Sequence, residues 1–235
     1  MTLALQARDV MTDRVATVAP NAAVKEAAKL MMERRVSALP VVDGAQRVVG
    51  ILSEGDLIRR TEIGTGRRRP SRMRALTQRG ARECLKTRSA RVRDVMSRPV
   101  ISVRPTAPLR EVARLLDKHR IKRVPVLEGR RLAGIVSRAD LVRQLATMPA
   151  RPTARTPRDR ALRRAVLEEL RRSSSGGLNL NATVEHGVVH LWGDVASRSE
   201  QKTLQKAAHA VDGVRRVKDH TSVMPLRVAD ALGLL

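Results

Sequence analysis

The 235-residue sequence contains no phenylalanine, no tyrosine and one tryptophan, Trp192. A core must therefore be assembled from Val, Leu, Ile, Ala and Met, and recognition of nucleic-acid bases by ring stacking is nearly excluded. The single cysteine, Cys84, rules out an intramolecular disulfide, and no Cys/His cluster has zinc-ligand spacing. His186 and His190 are four apart but flank Gly187 in what reads as a hairpin, so they would not share a helix face. The N-terminus reaches Arg8 and Asp9 without a hydrophobic targeting segment, and no apolar run approaches bilayer-spanning length. The expectation is a soluble cytoplasmic protein. Acidic residues are scarce, 23 Asp and Glu against 47 Lys and Arg, for a net charge of +24. Such an excess suggests a nucleic-acid or acidic-membrane partner. Yet 39 of the basic residues are Arg and 8 are Lys, a bias that G+C-rich coding alone would produce. A catalytic set is also missing: there is no nucleophile with a base, no paired carboxylates and no metal cluster, so no enzyme is expected and no cofactor is required.

What is present is an internal repeat. "DVMTDRVATVAP" from Asp9 aligns with "DVMSRPVISVRP" from Asp94, an offset of 85 residues. "RRVSALPVVDGAQRVVG" from Arg34 aligns with "HRIKRVPVLEGRRLAG" from His119, and "GILSEGDLIRR" from Gly50 with "GIVSRADLVRQ" from Gly134. Each copy predicts the order strand, helix, strand, strand, helix. Asn21 and Thr106 are the expected caps of the first helices, with Pro108 in the first turn of the second copy. Apolar stripes follow at Val24, Ala27, Ala28 and Met31, and at Leu109, Val112, Leu115 and Leu116. "LPVVD" and "VPVLE" read as buried strands, Asp43-Gly44 and Glu128-Gly129 as turns, and "RVVGILS" and "RLAGIVS" as returning strands. The fold class is α+β.

Ser53 with Asp56, and Ser137 with Asp140, stand where a strand hands over to a helix. The plain structural reading is a helix cap stabilising by about 1 kcal/mol, because the carboxylate faces the free amides of the first turn. The same geometry suits a nucleotide: helix amides and a Ser hydroxyl attract phosphate, and a carboxylate accepts both ribose hydroxyls. Ile51-Leu52 and Ile135-Val136 would line a slot for a flat base.

The doubled D-V-M, T/S-V-x-P, hydrophobic-Pro-Val and G-h-h-S-x-x-D pattern resembles a pair of cystathionine-β-synthase (CBS) domains. The resemblance implies a pseudo-twofold disc, homodimerisation through the pair, and clefts for AMP, ADP, ATP or S-adenosylmethionine as regulatory ligand. Carried over residue by residue, it implies nucleotide contacts from Thr17, Val18, Pro40, Ile51, Ser53 and Asp56 in the first repeat. In the second it implies Ser102, Val103, Pro125, Ile135, Ser137 and Asp140, together with Lys122 and Arg123, which precede the strand where the first repeat has only Ser37 and Ala38. Arg120, Lys122 and Arg123 form a candidate polyphosphate clamp; the alternative is a solvated basic face.

The organisation expected is therefore a first repeat at 5–60, an Arg-rich insert at 61–90, a second repeat at 91–146 and a Pro/Thr/Ala linker at 147–157. A separate unit follows at 158–225, with a tail at 226–235. In that unit "DRALRRAVLEELRR" is an amphipathic helix presenting Leu162, Val166 and Leu170. "LNLNATVEHGVVHLWGDV" is a hairpin turning near Gly187. "SRSEQKTLQKAAHAV" is a second helix opening on a Ser197 to Glu200 capping box, with Leu204, Ala207, Ala208 and Val211 inward. "DGVRRVKDHTSV" is a last strand. This α/β module, with Gly187, Gly193 and Gly213, resembles the bacterial OsmY and nodulation (BON) domain, a non-catalytic family associated with phospholipid or protein partners. The sequence thus points to a regulatory protein in which the CBS pair binds an adenine nucleotide and a BON module passes its occupancy to a partner. The alternative is a basic nucleic-acid-binding protein using phosphate contacts.

Overall fold

The computed structural model describes residues 5–58, 89–147, 156–174 and 180–223. The Arg-rich insert and the linker, apart from their edge residues, lie outside the described residues, as do Cys84 and the 226–235 tail. The chain divides into two compact units, Asp13–Val103 with Pro125–Gly134, and Met1–Thr12 with Arg104–Val124 and Ile135–Leu235.

The first unit holds α2 (Val24–Glu33), β1 (Ala38–Val42), β2 (Val48–Ser53), α3 (Glu54–Leu57) and α4 (Val92–Val95). Its core gathers Val18, Ala27, Met31, Leu39, Val41, Leu52, Val92 and Val95. β1 and β2 form the expected antiparallel hairpin, with Pro40 opposite Ile51 and Ala38 opposite Ser53. The predicted first strand shrinks to one residue: Val18 N–H donates to the Pro40 carbonyl (3.1 Å) and its own carbonyl accepts from Val42 N–H (3.0 Å). Prolines explain the brevity. Extending this parallel ladder forward requires an N–H at residue 20, and extending it backward requires one at residue 40; both are proline and have none. The second repeat writes the same rule, with Val103 bonded to Pro125 and Leu127 (3.0 and 2.8 Å) and Pro105 two residues on.

The expected caps at Asn21 and Thr106 are also corrected. α2 begins at Val24 behind Ala23, whose N–H is taken by the Glu26 carboxylate at 3.0 Å. Residues 22–24 are drawn into extended pairing with 90–92, through Val24 N–H to Ala90 O (2.8 Å) and Val92 N–H to Ala22 O (3.0 Å). Asn21 instead accepts from Arg93 at 2.9 Å.

The second unit holds α1 (Ala7–Val10), α5 (Leu109–Lys118), α6 (Arg138–Thr147), α7 (Pro157–Ser173), β5 (Asn181–Glu185), β6 (Val188–Val195), α8 (Arg198–Ala210) and β7 (Arg216–Val223). β3 (Arg123–Glu128) and β4 (Arg131–Ser137) form a second hairpin. α5 starts behind Pro108, not Thr106, because 107–109 pair with 5–7: Ala7 N–H donates to Ala107 O (2.8 Å) and Leu109 N–H to Leu5 O (2.9 Å). In the C-terminal domain β5 and β6 are antiparallel, and the α8 crossover makes β7 parallel to β6. Leu162, Val166 and Leu170 of α7 pack with Leu204 and Ala208 of α8 onto Ala182, Val184, Val189 and Leu191. The capping box on α8 is shifted: Ser197 Oγ accepts from Glu200 N–H (3.1 Å) as expected, but the Glu200 carboxylate takes Ala196 N–H (2.7 Å).

Candidate functional site

The two Ser-x-x-Asp motifs fold alike. Ser53 ends β2 in an extended conformation (φ −126°, ψ 164°), and Asp56 one turn into the helix folds back onto it. Asp56 Oδ2 accepts from Ser53 N–H at 3.0 Å and from Ser53 Oγ at 2.7 Å. Asp140 Oδ2 accepts from Ser137 N–H at 2.8 Å and Ser137 Oγ at 2.7 Å. The capping role is thus realised in both copies. The second carboxylate oxygens differ in partner: Asp56 Oδ1 accepts from Ser97 Oγ at 3.0 Å, and Asp140 Oδ1 from Arg143 Nη1 at 3.3 Å. A carboxylate offers about four acceptor positions, and on Asp140 three are taken, by Ser137 N–H, Ser137 Oγ and Arg143.

Ser97 reaches Asp56 through an exchange of segments between the repeats. Thr12 pairs with Ile135 through two bonds of 2.9 Å, and Ser97 pairs with Ile51 through bonds of 2.8 and 3.2 Å. The D-V-M segment that precedes the first repeat in sequence therefore completes the second, and the one preceding the second completes the first. Sequence reasoning missed Thr12, Ser97 and Arg143. A signal for the first two was present: T and S occupy equivalent positions in "DVMT" and "DVMS".

Among the predicted residues, Thr17, Val18, Pro40, Ile51, Ser53 and Asp56 come together in the first unit through the Val18–Pro40–Ile51 pairing, and Ser102, Val103 and Pro125 meet in that unit as well. Ile135, Ser137, Asp140, Lys122 and Arg123 belong to the second unit, where Arg138 N–H donates to the Lys122 carbonyl at 2.9 Å. The Lys122 and Arg120 side chains are exposed and Arg123 is half-buried. Val18, Pro40, Val103 and Pro125 are buried, and Ile51 and Ile135 are half-buried.

The second unit also joins α1 to the C-terminal domain through polar groups. Arg160 Nε donates to Asp9 Oδ1 at 2.7 Å, and this carboxylate raises the guanidinium pKa still further above its ordinary value. Arg163 donates to Ala182 O, Met11 O, Asn181 Oδ1 and Arg8 O at 2.7, 2.7, 2.9 and 3.2 Å. Asn181 Nδ2 returns a bond to Val10 O at 3.0 Å. A cavity of about 270 Å³ opens elsewhere in the domain, between Thr156–Asp159, the His186–Gly187 turn and Arg215. His186 and His190 straddle the hairpin turn as expected; His190 Nδ1 instead lies 2.9 Å from His220 Nε2. Among the described residues no group of His, Cys, Asp and Glu could hold a metal ion, and no helix is long and apolar enough to cross a membrane.

These elements correspond to known domains. The CBS domain model matches residues 7–62 and 92–147, and the BON domain model residues 158–225. The CBS domain-containing protein YhcV of Bacillus subtilis is 34% identical over 136 residues, 57% of this chain and 81% of that one. Homoserine O-acetyltransferase of Methanococcoides burtonii is 28% identical over 136 residues, but these cover only 23% of that enzyme. The crystal structure of CBSX2 in complex with AMP is 30% identical, with a TM-score of 0.54, covering 60% of this chain and 96% of that chain. Duplicated repeats with Ser-Asp junctions define the class as a paired CBS module, a regulatory type of domain. The chain belongs to the CBS domain-containing proteins, carrying a tandem CBS pair followed by a BON domain.

Proposed function

We propose that this chain is a regulatory protein whose CBS pair binds an adenine nucleotide and couples its occupancy to a partner through the BON domain. The observation that carries the reading is the twofold recurrence of one geometry, Ser53 with Asp56 and Ser137 with Asp140, each at a strand-to-helix junction. Support comes from CBSX2, a similar chain crystallised in complex with AMP. On this reading Asp56 and Asp140 take ribose hydroxyls, and Ile51 and Ile135 flank the base. Thr17, Val18 and Pro40, and Ser102, Val103 and Pro125, complete the nucleotide contacts. Ser137 and the first amides of α6 meet phosphate, with Lys122 and Arg123 adding charge-assisted bonds. The protein works as a cytoplasmic homodimer joined through the CBS pair, and the BON domain engages a protein or phospholipid.

Calorimetric titration of the full chain with AMP, ADP, ATP, S-adenosylmethionine and NAD, against wild type, Asp56→Ala and Asp140→Ala, tests this. Saturable binding by an adenine nucleotide, weakened in one or both variants, is expected. Absence of heat with every ligand overturns the reading. The +24 charge favours a second reading, binding of nucleic-acid phosphates. That reading requires affinity for duplex or single-stranded DNA or RNA that falls steeply with salt and ignores Asp56 and Asp140.

A further inference from the structure

Trp192 lies on the face of β6 turned away from α7 and α8, opposite His220 in the parallel ladder. The two rings stack with centroids 4.1 Å apart and planes within 12°. The indole Nε1 is buried and donates to no hydrogen-bond partner among the described residues. The guanidinium carbon of Arg143, on α6, is 6.0 Å from the Trp192 ring centroid, at the outer limit of a cation–π contact. The same guanidinium is the partner of Asp140 Oδ1 at 3.3 Å, with the Asp140 side chain 6% and the Arg143 side chain 38% exposed. One side chain thus touches both the carboxylate assigned to ribose and the only tryptophan of the chain.

The Asp140–Arg143 bond is slack. Charge-assisted N–H to carboxylate bonds ordinarily run about 2.7–2.9 Å, whereas the Ser137 bonds to the other oxygen are 2.7 and 2.8 Å. A donor arriving at Asp140 will therefore displace Arg143 before it displaces Ser137. We propose that Arg143 is a positioning residue that reports occupancy of the Asp140 site to the BON sheet. A ribose diol donating to Asp140 Oδ1 releases the guanidinium, which then shifts relative to the Trp192–His220 stack. The device rests on the nucleotide reading above, and it transmits a signal only because Arg143 has different partners in the two states.

Trp192 emission reads the device directly, since no other tryptophan contributes. Without nucleotide, the emission spectra of wild type, Asp140→Asn, Arg143→Ala and the double variant form a cycle, with far-UV circular dichroism confirming the fold. Asp140→Asn is expected to shift emission, and to produce no further shift once Arg143 is Ala. With the nucleotide that binds by calorimetry, wild type should show a saturable emission change at the calorimetric Kd. Arg143→Ala should bind within about threefold, as expected for loss of a part-exposed ion pair, yet lose the emission change. An unshifted Asp140→Asn spectrum, or a nucleotide-induced change that persists in Arg143→Ala, overturns the Arg143 proposal while leaving nucleotide binding intact. Absence of calorimetric binding overturns the nucleotide reading and the ligand-driven part of the device together.

Discussion

Replacing Arg163 by Met should destabilise the protein by about 3 kcal/mol, a value that follows from its acceptors. The residue is 8% exposed, and its guanidinium reaches Ala182 O, Met11 O, Asn181 Oδ1 and Arg8 O. Two of these are carbonyls near the end of α1, where a helix leaves its last C=O groups without intrahelical partners. Methionine keeps much of the stem's packing and removes every donor. Each buried acceptor left unsatisfied costs about 1–3 kcal/mol. The Asn181 oxygen retains Ala182 N–H at 2.8 Å, so it suffers least. Removing a buried charge returns part of its desolvation penalty, which brings a sum over the three carbonyls down to about 3 kcal/mol. Urea unfolding followed by circular dichroism and Trp192 emission measures the loss, and the melting temperature should fall by about 10 °C. Arg163→Lys keeps the charge but replaces a planar fork by one ammonium group, which cannot span acceptors on both α1 and β5, and should recover less than half of the loss. A loss below about 1 kcal/mol in the Met variant, or wild-type stability in the Lys variant, would show that the carbonyls find other partners and refute the reasoning.

Three further outcomes are expected. Gly187→Ala should destabilise the BON domain by about 2 kcal/mol in denaturant titration: φ is +76°, and a Cβ would stand 3.0 Å from the Gly213 carbonyl and 2.9 Å from Arg215 Cγ. Gly50→Ala drives a Cβ into the Met96 side chain in a site where Met96 is 4% exposed, and should lose about 1–3 kcal/mol. Shortening Met96 to Ala in the same chain should relieve that clash, so the two losses will not add. Burial pushes the Asp219 carboxyl up, but hydrogen bonds from the Thr221 hydroxyl and amide, Gln205 and Gln201 outweigh it and hold the group below the usual carboxylate range. A lowered folded-state pKa stabilises above the unfolded value and ceases to do so as pH falls through the folded one. The stability advantage of wild type over Asp219→Asn should therefore be present at neutral pH and shrink as pH falls below about 4.

Much of the candidate site was visible in sequence because its determinants are local. A Ser three residues before an Asp where an apolar strand meets a helix is the pattern of a local cap, and both copies fold back in this way. The second carboxylate oxygens were not visible in this way. Asp56 finds Ser97 41 residues away, and Arg143, although only one helical turn from Asp140, gains its second neighbour from β6. The stacking of Trp192 on His220 depends on β7 pairing parallel to β6, a register that α8 sets and no dipeptide announces.

By itself the sequence determined the repeat, the strand and turn order, the capped junctions and the BON elements, since periodicity, proline and glycine act within a few residues. Proline placement even decided how short the Val18 and Val103 bridges had to be. Tertiary structure alone decided which copy each D-V-M segment serves. Residues 5–7 and Thr12 bond to the second repeat, and residues 90–92 and Ser97 to the first. The two copies are so alike that local preference cannot choose between them. Only closure of hydrogen bonds across more than a hundred residues, Thr12 to Ile135, makes that choice.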